Sequence, residues 1–287
     1  MGNLYILATA VLWSTAGLII KYLQWNAFAI AGARGLLSML LLMGFRRVQM
    51  HRGLSGALPR FTKANVRVGI FMFLTSTCYT LAIKLTSAAN AVVLQYIAPV
   101  LVMLYAAVFD AQKPDKKSIL LTIVVFIGCV LTFAGKLSPQ GIIGNLVAVL
   151  SGFALAAQVI ASRREKCDAL DGLIIGSGIS FLTFFPLLFR EPVETFTPTS
   201  LGAIAFLGLF QYGLANVCYA RGVEKTDAIT TSLLLTLEPV LTPVWVFFST
   251  GEIPSPLEMI GFFCVVGAVS LQSLLSARKE SLRKTKN

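Results

Sequence analysis

One stretch of this chain occurs twice. Residues Cys78 to Leu101, CYTLAIKLTSAANAVVLQYIAPVL, return 140 positions later as Cys218 to Leu241, CYARGVEKTDAITTSLLLTLEPVL, without a gap. Identical residues pair Cys78, Tyr79, Thr86, Ala88, Leu94, Pro99, Val100 and Leu101 with Cys218, Tyr219, Thr226, Ala228, Leu234, Pro239, Val240 and Leu241. A chain whose second half copies its first folds as two related units that meet along a shared seam. What those units are made of follows from hydropathy.

Ten apolar runs have roughly the 17 to 25 residues that cross a hydrocarbon core. They cover residues 4–22, 27–45, 66–83, 91–109, 118–135, 141–161, 172–189, 201–219, 228–249 and 257–275. Only 13% of the residues are charged against 56% hydrophobic, so the bilayer is the expected solvent. The longest link, Arg46 to Asn65, is basic and contains Gly and Pro, which leaves no room for a soluble domain. The expected fold class is therefore all-α integral membrane, with ten transmembrane helices as two five-helix repeats. Residues 1–139 form the first repeat, 140–276 the second, and 277–287 a basic cytoplasmic tail. Because five is odd, the second copy enters the membrane from the opposite side and the repeats are inverted. Inverted repeats give two related packings, each opening the centre to one side, which is the geometry of alternating access.

The net charge of +11 is placed asymmetrically. With loops numbered alternately, nineteen Lys and Arg lie on the side shared by both termini, against Lys21, Lys84, Lys136 and Arg190 on the other. The positive-inside rule then puts both termini in the cytoplasm of a multi-pass protein of the cell (inner) membrane. The basic charge is a topology signal, and no nucleic-acid partner is expected. The first run has no charged n-region and no A-x-A cleavage site, so it reads as a span rather than a removable signal. Five cysteines without C-x-x-C spacing suggest neither disulfides nor a metal site, and no cofactor is expected.

Polar side chains near the middle of a span cost free energy unless they have partners or a task. Glu238, about ten residues into the ninth span and next to Pro239, is the sharpest of these. It suits binding a cationic group or carrying a coupling proton, and equally bracing a kinked helix, since a mid-span proline leaves a carbonyl without its donor. Arg34 is the one cation well inside a span. It braces a carbonyl, snorkels toward the outer headgroups, or binds a substrate carboxylate. Tyr212, Asn216 and Tyr219 fall at i, i+4 and i+7 on one helical face, with Met72, Ser76 and Tyr79 as their mates in the other repeat. Gln95 and Tyr96 precede Pro99, and Trp13, Ser14 and Gln158 lie near mid-depth of spans 1 and 6. Rings beside amides fit an organic solute with a flat or cationic part, although each residue alone also fits helix–helix hydrogen bonding. Trp245 and Tyr105 read as interfacial anchors. Gly128, Gly135, Gly144, Gly152, Gly176, Gly178, Gly261 and Gly267 read as close-packing positions.

The segments IAPVLVMLYAAVF and LEPVLTPVWVFFSTGEIPSPLEMIGFFCVVGAVSL carry a resemblance that extends over essentially the whole chain. The mid-span Pro99 and Pro239, the pair Gly251-Glu252, and Gly261 with Gly267 are similar to the paired repeat of the EamA family of the drug/metabolite transporter superfamily. The first half departs from that pattern, with Phe109-Asp110 near where its mate has Gly251-Glu252. The resemblance implies a ten-helix secondary carrier, a central cavity lined by spans 1, 3, 4, 6, 8 and 9, no ATP-binding part, and outward movement of a small organic metabolite.

Two further readings stand beside export: an uptake carrier for an amino acid, nucleobase or quaternary amine, and a channel or non-transporting scaffold. A homodimer is open. An intramembrane enzyme is not expected: the sole histidine, His51, sits in a loop, and neither paired intramembrane aspartates nor a Gly-rich nucleotide loop is present.

Overall fold

A computed structural model describes residues 1–50, 58–86, 88–109, 114–133, 141–163, 167–250 and 255–284. His51, Asp110, Gly135, Lys136, Gly251 and Glu252 lie outside the described residues. The first repeat contains α1 (Gly2–Trp13), α2 (Ala16–Tyr22), α3 (Ala27–Met50), α4 (Lys63–Leu85), α5 (Ala88–Gln95), α6 (Ala98–Phe109) and α7 (Lys116–Phe133). The second contains α8 (Ile142–Ser162), α9 (Ala169–Phe184), α10 (Pro198–Phe206), a π-helical segment (Leu207–Leu214), α11 (Ala215–Val223), α12 (Ala228–Leu235), α13 (Leu237–Thr250) and α14 (Pro256–Lys284). The fold is all-α, a ten-helix arrangement of two inverted repeats in which several crossings are built from two or more pieces. Among the described residues, seven helical stretches, some of them joined from the shorter pieces above, are long and apolar enough to cross a membrane, with shorter apolar stretches at Ala228–Leu241 and Met259–Gln272.

Local sequence sets the helix starts. Thr62, Asp168, Thr197 and Asp227 each accept a hydrogen bond from the backbone N–H three residues on, satisfying a donor that the first helical turn leaves open. The prolines act at the expected places, but the helices break just before them rather than bending at them. Pro99 lies in the first turn of α6 and Pro239 in the first turn of α13, behind interruptions at Tyr96–Ile97 and Thr236. Each proline denies a helical N–H to the carbonyl four residues back. The Leu235 carbonyl accepts instead from the Tyr96 hydroxyl at 2.9 Å. The Gln95 carbonyl faces Gly152, where an added Cβ would stand 2.6 Å from the oxygen, so only glycine admits that approach. Span 1 breaks without a proline: Ser14 and Thr15 donate to the carbonyls of Val11 and Leu12 at 2.6 and 2.8 Å, ending α1 where the sequence offered no breaker.

Packing repeats the duplication. In span numbers, α4 of span 3 lies along α8 of span 6, and α11 of span 8 lies along α1 of span 1; α3 lies along α9, and α7 along α14. The halves interleave, so the centre of the molecule belongs to both. Close approach depends on small residues: a Cβ at Gly176 would meet the Gly69 carbonyl at 2.6 Å, and one at Gly128 would meet Val265 Cγ2 at 2.7 Å. Gly267 differs from expectation, having open space around it.

One buried ion pair ties the repeats together. Arg46 at the end of α3 pairs with Asp171 in the first turn of α9, both almost wholly buried. The second Asp171 oxygen accepts from the Arg60 backbone N–H at 3.1 Å and from Asn65 Nδ2 at 3.3 Å. Removing one partner of such a pair leaves a buried charge uncompensated, at a cost of about 3–5 kcal/mol. Asp171→Leu is expected to lower the melting temperature of the solubilised protein sharply, and the double replacement with Arg46→Met to restore most of it. An unchanged melting temperature in the single variant would refute this role.

Candidate functional site

The duplicated spans converge on a cavity at the seam of the two halves. Its wall comprises Trp13, Arg34, Met72, Thr75, Ser76, Tyr79, Gln95, Leu155, Gln158, Gln211, Tyr212, Asn216 and Glu238. The centre of a water molecule can reach about 40 Å³ of it. A single water needs ~10–15 Å³ by this measure, so the space suits a few waters and a metabolite requires side chains to move. Spans 1, 3, 4, 6, 8 and 9 all contribute, as the family resemblance implied, and span 2 adds Arg34.

Arg34 is buried and points inward, which corrects the snorkelling alternative: the side chain faces the seam and not the membrane surface. Its Nη2 donates to Ser76 Oγ at 2.6 Å and its Nη1 to Gln211 Oε1 at 3.4 Å, and the guanidinium carbon stands 4.5 Å from the centre of the Tyr212 ring. No ion pair between Arg34 and Glu238 exists among the described residues, and Arg34 Nε lacks a hydrogen-bond partner. A guanidinium held by neutral acceptors and a ring face keeps attraction in reserve for an anionic group.

Glu238 sits on the opposing repeat, buried, where its mate in the first copy is Ala98. Tyr96 contacts Glu238 Oε2 at 2.7 Å while also contacting the Leu235 carbonyl at 2.9 Å, and Tyr79 lines the same cavity. The Tyr96 hydroxyl has one proton and faces two acceptors. Both contacts are satisfied together when Glu238 carries a proton and donates to Tyr96, and the Tyr96 proton goes to Leu235. Glu238 thus lines the cavity and is linked through Tyr96 to the carbonyl that Pro239 exposes.

The remaining expected residues divide. Trp13, Ser76, Tyr79, Gln95, Gln158, Tyr212 and Asn216 line the cavity beside Arg34 and Glu238. Ser14, Tyr96 and Tyr219 do not. Ser14 accepts from Trp245 Nε1 at 2.7 Å, which also corrects the interfacial reading of Trp245: its indole N–H is used inside the bundle. Tyr219 stacks on Trp13 with ring centres 5.8 Å apart and reaches Ser162 at 3.4 Å. Its mate Tyr79 lines the cavity instead, so the two copies place the same residue differently. Gln211 and Thr75 were missed. In the π-helical segment the wider turn brings residues five apart onto one face, so Gln211 joins Asn216 at the wall; a polar residue within an apolar span was the available signal. Within the cavity the Trp13 N–H, the Tyr212 hydroxyl and both polar atoms of the Asn216 amide have no partner. Buried polar groups are usually satisfied, so these atoms are open to water or to a polar solute in the cavity. Among the described residues no group of three His, Cys, Asp or Glu side chains could hold a metal.

The model of the EamA-like transporter family matches residues 1–134 and again 142–274. An uncharacterized transporter of Archaeoglobus fulgidus is 26% identical over 94% of this chain and 96% of its own. The uncharacterized transporter YyaM of Bacillus subtilis is 26% identical over 84% of this chain and 78% of its own. The pseudopaline exporter CntI of Pseudomonas aeruginosa is 22% identical over 70% of this chain and 71% of its own. A solved crystal structure superposes with a TM-score of 0.79 at 20% identity, covering 96% of this chain and 98% of the other, which shows a shared fold.

Proposed function

The chain belongs to the EamA-like transporter family, and from that premise we propose that it is a secondary carrier exporting a small organic metabolite by alternating access. One observation carries the substrate class: a single buried cavity sets Arg34 and Glu238 on opposing repeats, between the rings of Trp13 and Tyr212 and the open amide of Asn216. A carboxylate on the solute meets the Arg34 fork. An ammonium or flat cationic part meets Glu238 and the ring faces. The solute is therefore amino-acid-like, aromatic or cationic, and a zwitterion satisfies both charges at once.

Glu238 takes up and releases the coupling proton in this reading, supported by the Tyr96 contacts that suit a protonated carboxyl. Outward movement is supported by the exporter among the relatives. The boundary between working halves falls near residue 140, consistent with the two family matches. Both termini face the cytoplasm, on the strength of the charge asymmetry; labelling of either terminus from outside intact cells would contradict it.

The test is counterflow in liposomes loaded with individual amino acids or quaternary amines. Saturable uptake of labelled solute, stimulated by the same solute inside, is the expected result. Conductance that neither saturates nor responds to internal solute would replace the carrier with a pore.

A further inference from the structure

A second cavity lies away from the seam, between α5, α7 and α8. It offers the centre of a water molecule about 360 Å³, far more than the central site by the same measure. Its wall is formed by Val93 and Ile97 on the side of span 4, Phe126 and Val130 of α7, and Val149 of α8, with Asn90 and Asn145 at one end. Such a space is poorly suited to water, which needs several polar partners that this wall does not supply. Left empty, the lining loses its dispersion contacts.

The mouth opens on the lipid-facing surface. Phe126 is 41% exposed while lining the cavity, and Ile127, Leu146 and Leu150 beside it on α7 and α8 are exposed apolar side chains. The cavity is thus continuous with the surface that the bilayer covers. Its polar end carries a specific signal. Asn145 Oδ1 accepts from Thr86 Oγ1 at 2.8 Å and from Asn90 Nδ2 at 2.9 Å. In this arrangement the part-buried Asn145 side chain makes no Nδ2 hydrogen bond to a described residue and faces the mouth of the cavity. Within a membrane an unsatisfied N–H is costly, and a lipid ester carbonyl is the acceptor at hand.

We propose that this side cavity binds one acyl chain of a bilayer glycerolipid, with Asn145 donating a hydrogen bond to its ester oxygen. The chain fills the apolar wall and supports α5, whose other flank carries Gln95 into the central site. The occupant is a lipid rather than the transported solute, because no charged side chain or aromatic cage lines this wall.

The test uses the full chain in phospholipid nanodiscs doped with a phosphatidylcholine bearing a mid-chain diazirine, with adducts mapped by mass spectrometry after irradiation. Adducts at residues 90–97 and 142–150 are expected to exceed those at exposed Ile119 and Leu120 by about tenfold, the ratio that a 1.4 kcal/mol preference gives. Val149→Trp and, independently, Val130→Trp fill the space and are expected to reduce this labelling to the level of the general lipid face. Asn145→Leu removes the donor without filling the space and lowers it several-fold. Uniform labelling of the unaltered protein would overturn the proposal even if the variants fail to fold. Labelling unaffected by either tryptophan, or displaced by water-soluble quaternary amines, would also overturn it, the latter pointing to lateral solute entry.

Discussion

Arg34→Gln is expected to weaken substrate binding by at least roughly 30-fold while the protein folds normally. The guanidinium is buried, held by Ser76 and Gln211 and stacked near Tyr212, without an ion pair among the described residues. A neutral amide removes a buried charge that costs desolvation when no substrate is present, so the melting temperature should hold or rise. Binding of a carboxylate-bearing solute loses a charge-assisted contact, about 2–5 kcal/mol, or roughly 30-fold to above a thousandfold in Kd. Arg34→Lys keeps the charge but not the fork that spans Ser76 and Gln211, and is expected to fall between the two. Ligand-induced thermal shift and counterflow read both effects. Unchanged affinity in Arg34→Gln would remove the carboxylate from the proposed substrate.

Glu238→Gln is expected to separate exchange from accumulation. A glutamine still hydrogen-bonds Tyr96, so the packing at the broken ninth span is kept, but it cannot exchange a proton. With one proton moved per cycle, a gradient of one pH unit supplies about 1.4 kcal/mol and supports roughly a tenfold solute gradient. The sign follows from competition: a protonated Glu238 has no charge to offer an ammonium, so the acidic side favours release of a cationic solute and the alkaline side favours its binding. The variant should bind a cationic solute more weakly, equilibrate it without accumulation at high concentration, and show counterflow independent of pH. Proton-driven accumulation that survives the substitution would sink the coupling role.

The duplication around Cys78 and Cys218 and the ten apolar runs made the architecture legible, because hydropathy and repeat spacing are properties of the chain and need no knowledge of packing. The same logic found most of the cavity wall, since a polar residue deep in an apolar span is costly wherever it points. It failed where the direction of a side chain mattered. Tyr212, Asn216 and Tyr219 share one face of an ideal helix, yet the π-helical segment brings Gln211 to the wall while Tyr219 stacks behind on Trp13. Span 1 breaks at Ser14, where no proline or glycine announces it.

The sequence alone determined that this protein is a membrane bundle of two inverted copies, since burying so many apolar residues around an odd number of crossings per copy admits little else. Only the tertiary structure decided which of the matched positions line the cavity: Tyr79 and not Tyr219 reaches its wall, and Arg34 turns toward the seam instead of the membrane surface. Repeats of similar sequence begin with similar positions available. Packing the copies against each other makes neighbouring side chains compete for the same partners, and that competition is settled in three dimensions.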